Sequence, residues 1–302
     1  MLVERFTVPD GFPQKVEQVL PMILPVHPLR AHDTLLDRRA VKINGRSVSR
    51  GRKVHGGDVI EVHFADVLPV PRVAGGPIEV LADAHGLMIV NKPAGLVVDE
   101  ESTGPRANAP RGTGVVTLLA GQLTGFSVGG FAAPGVAHRI DRETSGCVSL
   151  ARTDGSLFAL QRAFAEKCVE KKYLAIVEGR PPAQGEFDTA YGPRENNRRL
   201  FTTKIDTPRR ARLSFVVREQ FANAACVEIA LDTGRTHQIR VQFSEAGFPV
   251  LGDSLYGAGP TEVAPRVMLH AASLSIALPK VEPLKAVAPL PADFESALQR
   301  HR

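Results

Sequence analysis

Short apolar runs cut by glycine and proline, rather than long helical periodicities, constrain this chain most. Ile78–Leu81, Leu87–Val90, Cys147–Ala151, Tyr173–Val177, Leu213–Val217, Cys226–Leu231, Gln238–Phe243 and Leu269–Ile276 each read as a strand. Helical periodicity is confined to a few segments. These are Val115–Leu123, Ser156–Glu166 with Leu157, Leu160 and Phe164 on one face, and Pro291–His301 with Phe294 and Leu298 inward. Strands outnumber helices and do not alternate strictly with them, so the pattern predicts an α+β fold rather than a doubly wound one. The 302 residues suit two domains better than one. With 43% hydrophobic and 23% charged residues, wholesale disorder is excluded.

The first unit spans residues 1–66. Residues 1–17 read as irregular, and prolines at 21, 25 and 28 delay a short helix over Ala31–Ala40. Val41–Ser49 reads as a hairpin turning at Asn44-Gly45, and Val59–Phe64 as a further strand. Residues 67–77, with prolines and a Gly-Gly pair, read as a linker, and 78–302 as the second domain. Residues 99–114 are polar, rich in glycine and proline, and read as a loop.

Several function classes drop out. Three cysteines without a C-x-x-C pair disfavour a disulfide framework and a cysteine zinc site, and fit a reducing cytoplasm. Residues 1–17 carry Glu4, Asp10 and Glu17 and no secretory pattern, and the apolar stretch Leu20–Val26 is too short and proline-broken to span a bilayer. There is no P-loop, no G-x-G-x-x-G between strand and helix, and no H-E-x-x-H, so no nucleotide cofactor, metal or other cofactor is expected. The net charge is +5, concentrated in two places. Arg38–Lys53 holds Arg38, Arg39, Lys42, Arg46, Arg50, Arg52 and Lys53 without an intervening acid, and Arg194–Arg212 is nearly as basic. Such runs suit a polyanion, and equally two solvated faces.

The densest polar cluster is His138-Arg-Ile-Asp-Arg-Glu-Thr-Ser-Gly146, ahead of an apolar strand. A carboxylate between Arg139 and Arg142 suits a held nucleophile. Taken alone, the commoner reading is a surface salt-bridge cluster with Asp141 or Thr144 capping a turn. A second cluster, Thr233-Gly-Arg-Thr-His-Gln-Ile-Arg240, holds Arg235, His237 and Arg240. Read as a strand with Ile239 inward, it presents Arg240 and Gln238 on the other face, where arginine suits a carboxylate or phosphate. In Lys171–Gly179, Tyr173 starts a strand, a position more often used for packing than for chemistry.

Together and in order, these segments resemble the RluA-type pseudouridine synthases. The likeness rests on Asn91–Val98, on His138–Gly146 as the motif of the nucleophilic aspartate, on Lys171–Gly179 and on Thr233–Val241. Gly252–Gly257 and Leu269–Ala271 extend it. Residues 30–64, chiefly Val41–Arg46 and Gly56–Val62, more weakly resemble an S4-type RNA-binding domain. The chain departs from the family pattern at Asp99, Gln242 and Phe248, which bears on RNA selection and local packing.

The resemblance implies a mixed, largely antiparallel catalytic domain behind a small S4-like α/β-hairpin domain. It implies isomerisation of uridine to pseudouridine in a structured, stem-loop RNA, ribosomal or transfer, by a cytoplasmic enzyme without a cofactor. Asp141 would start glycosidic cleavage, Arg240 would pair with it, and Tyr173 would stack on the base and assist proton removal. Arg139, Arg142, Arg235, His237, Arg46, Arg50 and Arg52 would contact RNA. Two other classes stay open on the residues alone: a non-catalytic RNA-binding or ribosome-assembly factor, and a glycoside hydrolase using Asp141 and Glu143.

Overall fold

The computed structural model describes residues 2–8, 10, 15–23, 36, 39–64, 77–99, 114–128 and 134–302. Residues 67–76 of the expected linker, 100–113 of the expected loop and most of the expected helix at 31–40 lie outside the described residues. The N-terminal residues build β1 (Leu2–Thr7), α1 (Val16–Ile23), β2 (Val41–Ile43), β3 (Arg46–Ser47) and β4 (Val59–Phe64). The sheet order is β1-β4-β2-β3, antiparallel at each pairing. Val16, Val19 and Leu20 of α1 share a core with Val41, Ile43, Ile60 and Val62. The Asn44-Gly45 hairpin forms as read, and the Asn44 side chain ties it to the next turn through Asp58 and the Val59 N–H. Among the described residues of 1–17 the expected irregularity does not hold: β1 pairs along the whole of β4, and α1 begins at Val16. Pairing with a strand more than fifty residues away supplies the backbone partners that the short local pattern did not announce.

The second unit is a ten-stranded sheet. Its main path runs β10 (Gln184–Ala190), β13 (Arg210–Gln220), β14 (Ala224–Leu231), β9 (Val169–Glu178), β15 (Leu269–Ile276), β8 (Ser145–Ala151), β6 (Leu87–Lys92) and β5 (Glu79–Ala84). β16 (Leu284–Val287) joins β15, and β7 (Gly135–Val136) joins β8. Every pairing is antiparallel except β15 with β8. The fold is α+β with a mixed, largely antiparallel sheet. A separate hairpin, β11 (Gly192–Arg194) and β12 (Asn197–Thr202), stands beside it.

Both faces of the central strands are covered. Along β9, Tyr173, Ala175 and Val177 enter the main core, while Leu174 and Ile176 face the cluster around Phe294 and Leu298 of α5 (Ala292–His301). β8 is buried at every residue, and its sequence holds only small or apolar side chains, with Ser145 and Ser149 among them. α2 (Val115–Gln122) and α3 (Asp154–Ala165) add Val115, Leu119, Leu157 and Leu160 to the main core, and Thr153 caps α3 through the Ser156 N–H.

One assignment is corrected. Gln238–Phe243 is not a strand but the start of α4 (Gln238–Glu245), which follows His237 in the left-handed region at φ 57°. All six residues from Gln238 to Phe243 are buried, so no polar face reveals the helical period. Phe243 packs edge-on against Phe187 and Phe215 of the sheet. Gln238 closes the preceding loop, accepting from Thr233 Oγ1 and the Arg235 N–H and donating to the Arg212 carbonyl. These contacts override the strand propensity of Ile239, Val241 and Phe243.

Gly146 allows the parallel contact of β8 with β15. Its φ is 108°, and a Cβ there would lie 2.2 Å from the Ala271 carbonyl oxygen. Gly146→Ala is expected to destabilise the protein by more than about 2 kcal/mol, measured by urea unfolding. A parent-like midpoint would contradict this close approach.

Candidate active site

The loop before β8 carries Asp141 in a tight turn closed by the Thr144 N–H on the Asp141 carbonyl. Beneath it lies Lys92, fully buried at the end of β6. Its Nζ donates to the carbonyls of Pro93 (2.9 Å), Leu96 (2.8 Å) and Arg142 (3.0 Å). Burial pushes its pKa down to about 7, against the pull of Asp141, and the three carbonyls match the three N–H bonds of the ammonium form.

α4 delivers Arg240, only 5% exposed, to this loop. Its Nη1 donates to Asp141 Oδ2 at 2.9 Å. Its other edge makes a two-pronged contact with Asp253: Nε to Oδ2 at 2.6 Å and Nη2 to Oδ1 at 2.8 Å. Asp253 is fully buried, and its Oδ1 also accepts from the Leu255 and Tyr256 N–H groups. Burial opposes ionisation of both partners. The ion pair outweighs it, so Asp253 stays below the usual carboxylate range and Arg240 above the usual guanidinium range. The guanidinium lies 5.4 Å from the centre of the Tyr256 ring.

The other Asp141 oxygen faces His237 Nε2 at 3.9 Å, and His237 Nδ1 lies 3.0 Å from the Tyr256 hydroxyl. Burial lowers the His237 pKa, Asp141 raises it and Arg240 lowers it again; the outcome is a depressed value and a neutral ring at pH 7. The tautomer with Nδ1 accepting from Tyr256 turns Nε2–H toward Asp141. The Asp141 side chain is 24% exposed, so this carboxylate is anchored on one side and open on the other. Tyr173 projects from β9 into the same region. Burial, and then the charge of Asp141, raise its phenol well above its ordinary pKa, so it is neutral at pH 7.

The sequence-derived residues therefore divide. Asp141, Arg240 and His237 meet directly, and Tyr173 lies within reach of the Asp141 charge. Arg139 is exposed and near enough to His237 to act on it electrostatically. Arg142 is exposed and gives the site its backbone carbonyl, which Lys92 holds. Arg235 spends its Nε on the Arg210 carbonyl. Arg46, Arg50 and Arg52 are exposed in the N-terminal unit. The strand reading of Arg240 also fails in its detail: Arg240 does not stand on a face opposite Ile239 but is buried together with Gln238 and Gln242. Gln242 bonds Thr189 Oγ1 and the Ala211 carbonyl, a packing role.

Asp253, Tyr256 and Lys92 went unassigned as site residues in the sequence. The Gly-Asp pair at 252–253 was the one available signal, and only a fold that brings residues 141, 240 and 253 together gives it meaning. Among the described residues, no group of three or more His, Cys, Asp or Glu is placed to hold a metal ion, and no helix is long and apolar enough to cross a membrane.

The model of the RNA pseudouridylate synthase family matches residues 86–245, which include Asp141, Tyr173 and Arg240. The chain belongs to this family. It is 33% identical to an RNA pseudouridine synthase of Chloroflexus aurantiacus over 98% of this chain and 93% of that one. It is 32% identical to ribosomal large subunit pseudouridine synthase D of Xylella fastidiosa, over 95% of this chain and 89% of that one. The solved structure of human RNA pseudouridylate synthase domain containing 4 superposes with a TM-score of 0.58 at 26% identity, covering 74% of this chain and 93% of that one.

His138 supports the Asp141 loop from behind. Its Nε2 accepts from the Ser149 N–H at 2.9 Å, and its ring lies 4.6 Å from that of Phe164. Burial, and then Lys171, push its pKa down to about 3. An unfolded histidine titrates near about 6.5, so between these values the unfolded chain binds the extra proton. The His138 contribution is fully present above about pH 6.5 and lost progressively as the pH falls toward 3. His138→Gln, which keeps an acceptor for Ser149, is expected to flatten the acid slope of urea stability by up to about 1.4 kcal/mol per pH unit. An unchanged slope would show that His138 does not set it.

Proposed function

We propose that this pseudouridine synthase uses Asp141 as the group that starts glycosidic cleavage, held by Arg240. In the isomerisation, the bond from N1 of uracil to C1′ breaks and a bond from C5 to C1′ forms. C5 loses a proton and N1 gains one, so no redox carrier or nucleotide is consumed. A stacked uridine is out of reach of a carboxylate in a protein pocket, so the target nucleotide must flip out. The single observation that carries this reading is the Asp141–Arg240 contact of 2.9 Å, with Arg240 locked by a fully buried Asp253. Tyr173, kept neutral, offers its ring to the base and its hydroxyl as a donor; a phenol in that environment is a poor base. Arg139, beside His237, would meet a phosphate at the mouth of the site.

The substrate proposed is a structured ribosomal RNA, in line with the name of the Xylella relative, modified in the cytoplasm. The N-terminal unit at 1–66, joined through 67–77 to the catalytic domain at 78–302, would add RNA affinity as an S4-like module. Support comes from its own core and from exposed Arg46, Arg50 and Arg52. A non-catalytic RNA-binding factor would have no use for a half-open carboxylate braced by a buried ion pair, and a neutral sugar substrate would not need the basic runs.

Asp141→Asn is nearly isosteric. Incubated with uridine-labelled ribosomal RNA, it should bind but form pseudouridine at less than about a thousandth of the parent rate, roughly 4 kcal/mol of barrier. Appreciable product would end the assignment of Asp141. Replacing Arg46, Arg50 and Arg52 together by Gln should weaken binding to all RNAs and flatten the slope of log affinity against log salt by about two. Turnover at saturating RNA should hold. An unchanged slope on a stem-loop substrate would remove the N-terminal unit from the RNA interface.

A further inference from the structure

A second buried arginine lies under the catalytic loop, outside the Asp141–Arg240 contact. Arg266 is 7% exposed and precedes β15. Its Nε and Nη2 form a two-pronged pair with Asp293 of α5, at 2.7 and 2.9 Å. Its Nη1 donates to the carbonyl of Glu143 at 3.1 Å and to that of Val267 at 2.9 Å. Its Nη2 also reaches Ser145 Oγ at 3.3 Å, and Ser145 Oγ in turn lies 2.9 Å from His270 Nδ1. The side chain thus grips the Asp141 loop on its C-terminal side, while Lys92 takes the adjacent Arg142 carbonyl.

The backbone of the same residue supports the other end of the ion-pair chain. The Arg266 carbonyl packs directly on Gly252, where a Cβ would lie 1.8 Å from its oxygen. Gly252 precedes Asp253, the residue that locks Arg240. Arg266 therefore touches the loop that carries Asp141 with its side chain and the turn that carries Asp253 with its main chain.

We infer that Arg266, oriented by Asp293, is a positioning residue for pseudouridine formation that sets the register of Asp141 against Arg240. It touches neither oxygen of Asp141, so it acts through the loop. A misplacement of the catalytic group by about 1 Å is enough to cost a large factor in rate. Arginine is required for its planar fork: the single nitrogen of a lysine cannot reproduce the two-pronged pair with Asp293 and also reach the Glu143 and Val267 carbonyls and Ser145.

The proposal rests on Asp141 being the reacting group, and its test separates the two. Arg266→Lys and Asp293→Asn are made in the parent and in an Arg240→Lys background. RNA affinity, KM, single-turnover rate and urea midpoint are then measured on a stem-loop substrate. In the parent background, folded Arg266→Lys should bind RNA within about twofold of the parent and lose at least about tenfold in single-turnover rate. Asp293→Asn should move the rate in the same direction with KM held. In the Arg240→Lys background, where the contact is already misaligned, Arg266→Lys should cost less than about twofold. A parent-like rate, or the same fold-loss in both backgrounds, would reduce Arg266 to a fold residue and overturn the inference. Asp293 is partly exposed and Asn is nearly isosteric with it, so Asp293→Asn carries the same cycle if Arg266→Lys does not fold. Product from Asp141→Asn would instead defeat the underlying reading, whatever the Arg266 cycle gives.

Discussion

The chain of charges from Asp253 through Arg240 to Asp141 is the interaction on which the site depends. Removing ions from water is costly unless each is paired and its remaining hydrogen-bonding groups are used. Asp253 meets that condition at both oxygens: Oδ2 takes Nε, and Oδ1 takes Nη2 and two backbone N–H groups. Arg240 is thereby fixed in a single orientation and presents Nη1 to Asp141. The one member of the chain open to solvent is Asp141, the group proposed to meet substrate. Donors fixed before substrate arrives need no reorganisation during the reaction, which is where electrostatic catalysis gains most.

Rigid elements hold this chain in place. The hairpin of β11 and β12, with the residues flanking it, is tied to α4 and to the segments on either side of that helix. The Tyr191 hydroxyl donates to the Thr236 carbonyl at 2.6 Å, the Phe201 N–H to the Tyr256 hydroxyl at 3.1 Å, and the Thr203 N–H to Glu245 at 2.8 Å. The hairpin brings Arg194 over the outer side of the Tyr256 ring. Thr202 and Thr203, within the basic stretch 194–212, are thereby bonded to Glu245 of the helix that carries Arg240.

Charge is distributed unevenly between the rim and the interior of the site. Tyr173 and His237 are both held neutral, chiefly by burial. The charged groups at the reacting end are two carboxylates and one guanidinium, with Lys92 beneath the loop. The rim is cationic at Arg139 and Arg142. Under the proposed function, this cationic rim would draw phosphates and leave the carboxylate inside for the nucleoside. A binding surface without catalysis would gain nothing from an acid in that place.

The sequence alone determined the α+β class, the hairpin at Asn44-Gly45, β15 to the residue, the closing helix, and three motifs, two of which bring Asp141, His237 and Arg240 together while the third sets Tyr173 within reach of the Asp141 charge. These are local properties: a turn dipeptide, an alternation, a helical stripe, or a run of unusual polar residues ahead of an apolar strand. It misjudged α4 because a helix buried on every side has no polar face to reveal its period. It missed β1, whose strand character comes from pairing with β4. It left Asp253, Tyr256, Lys92 and Arg266 without a role. An aspartate after a glycine, or a lysine before a proline, is unremarkable until the fold removes it from water and demands a partner for it. Only the tertiary structure decides which charges are buried, and burial is what turns those residues from surface chemistry into the support of Asp141.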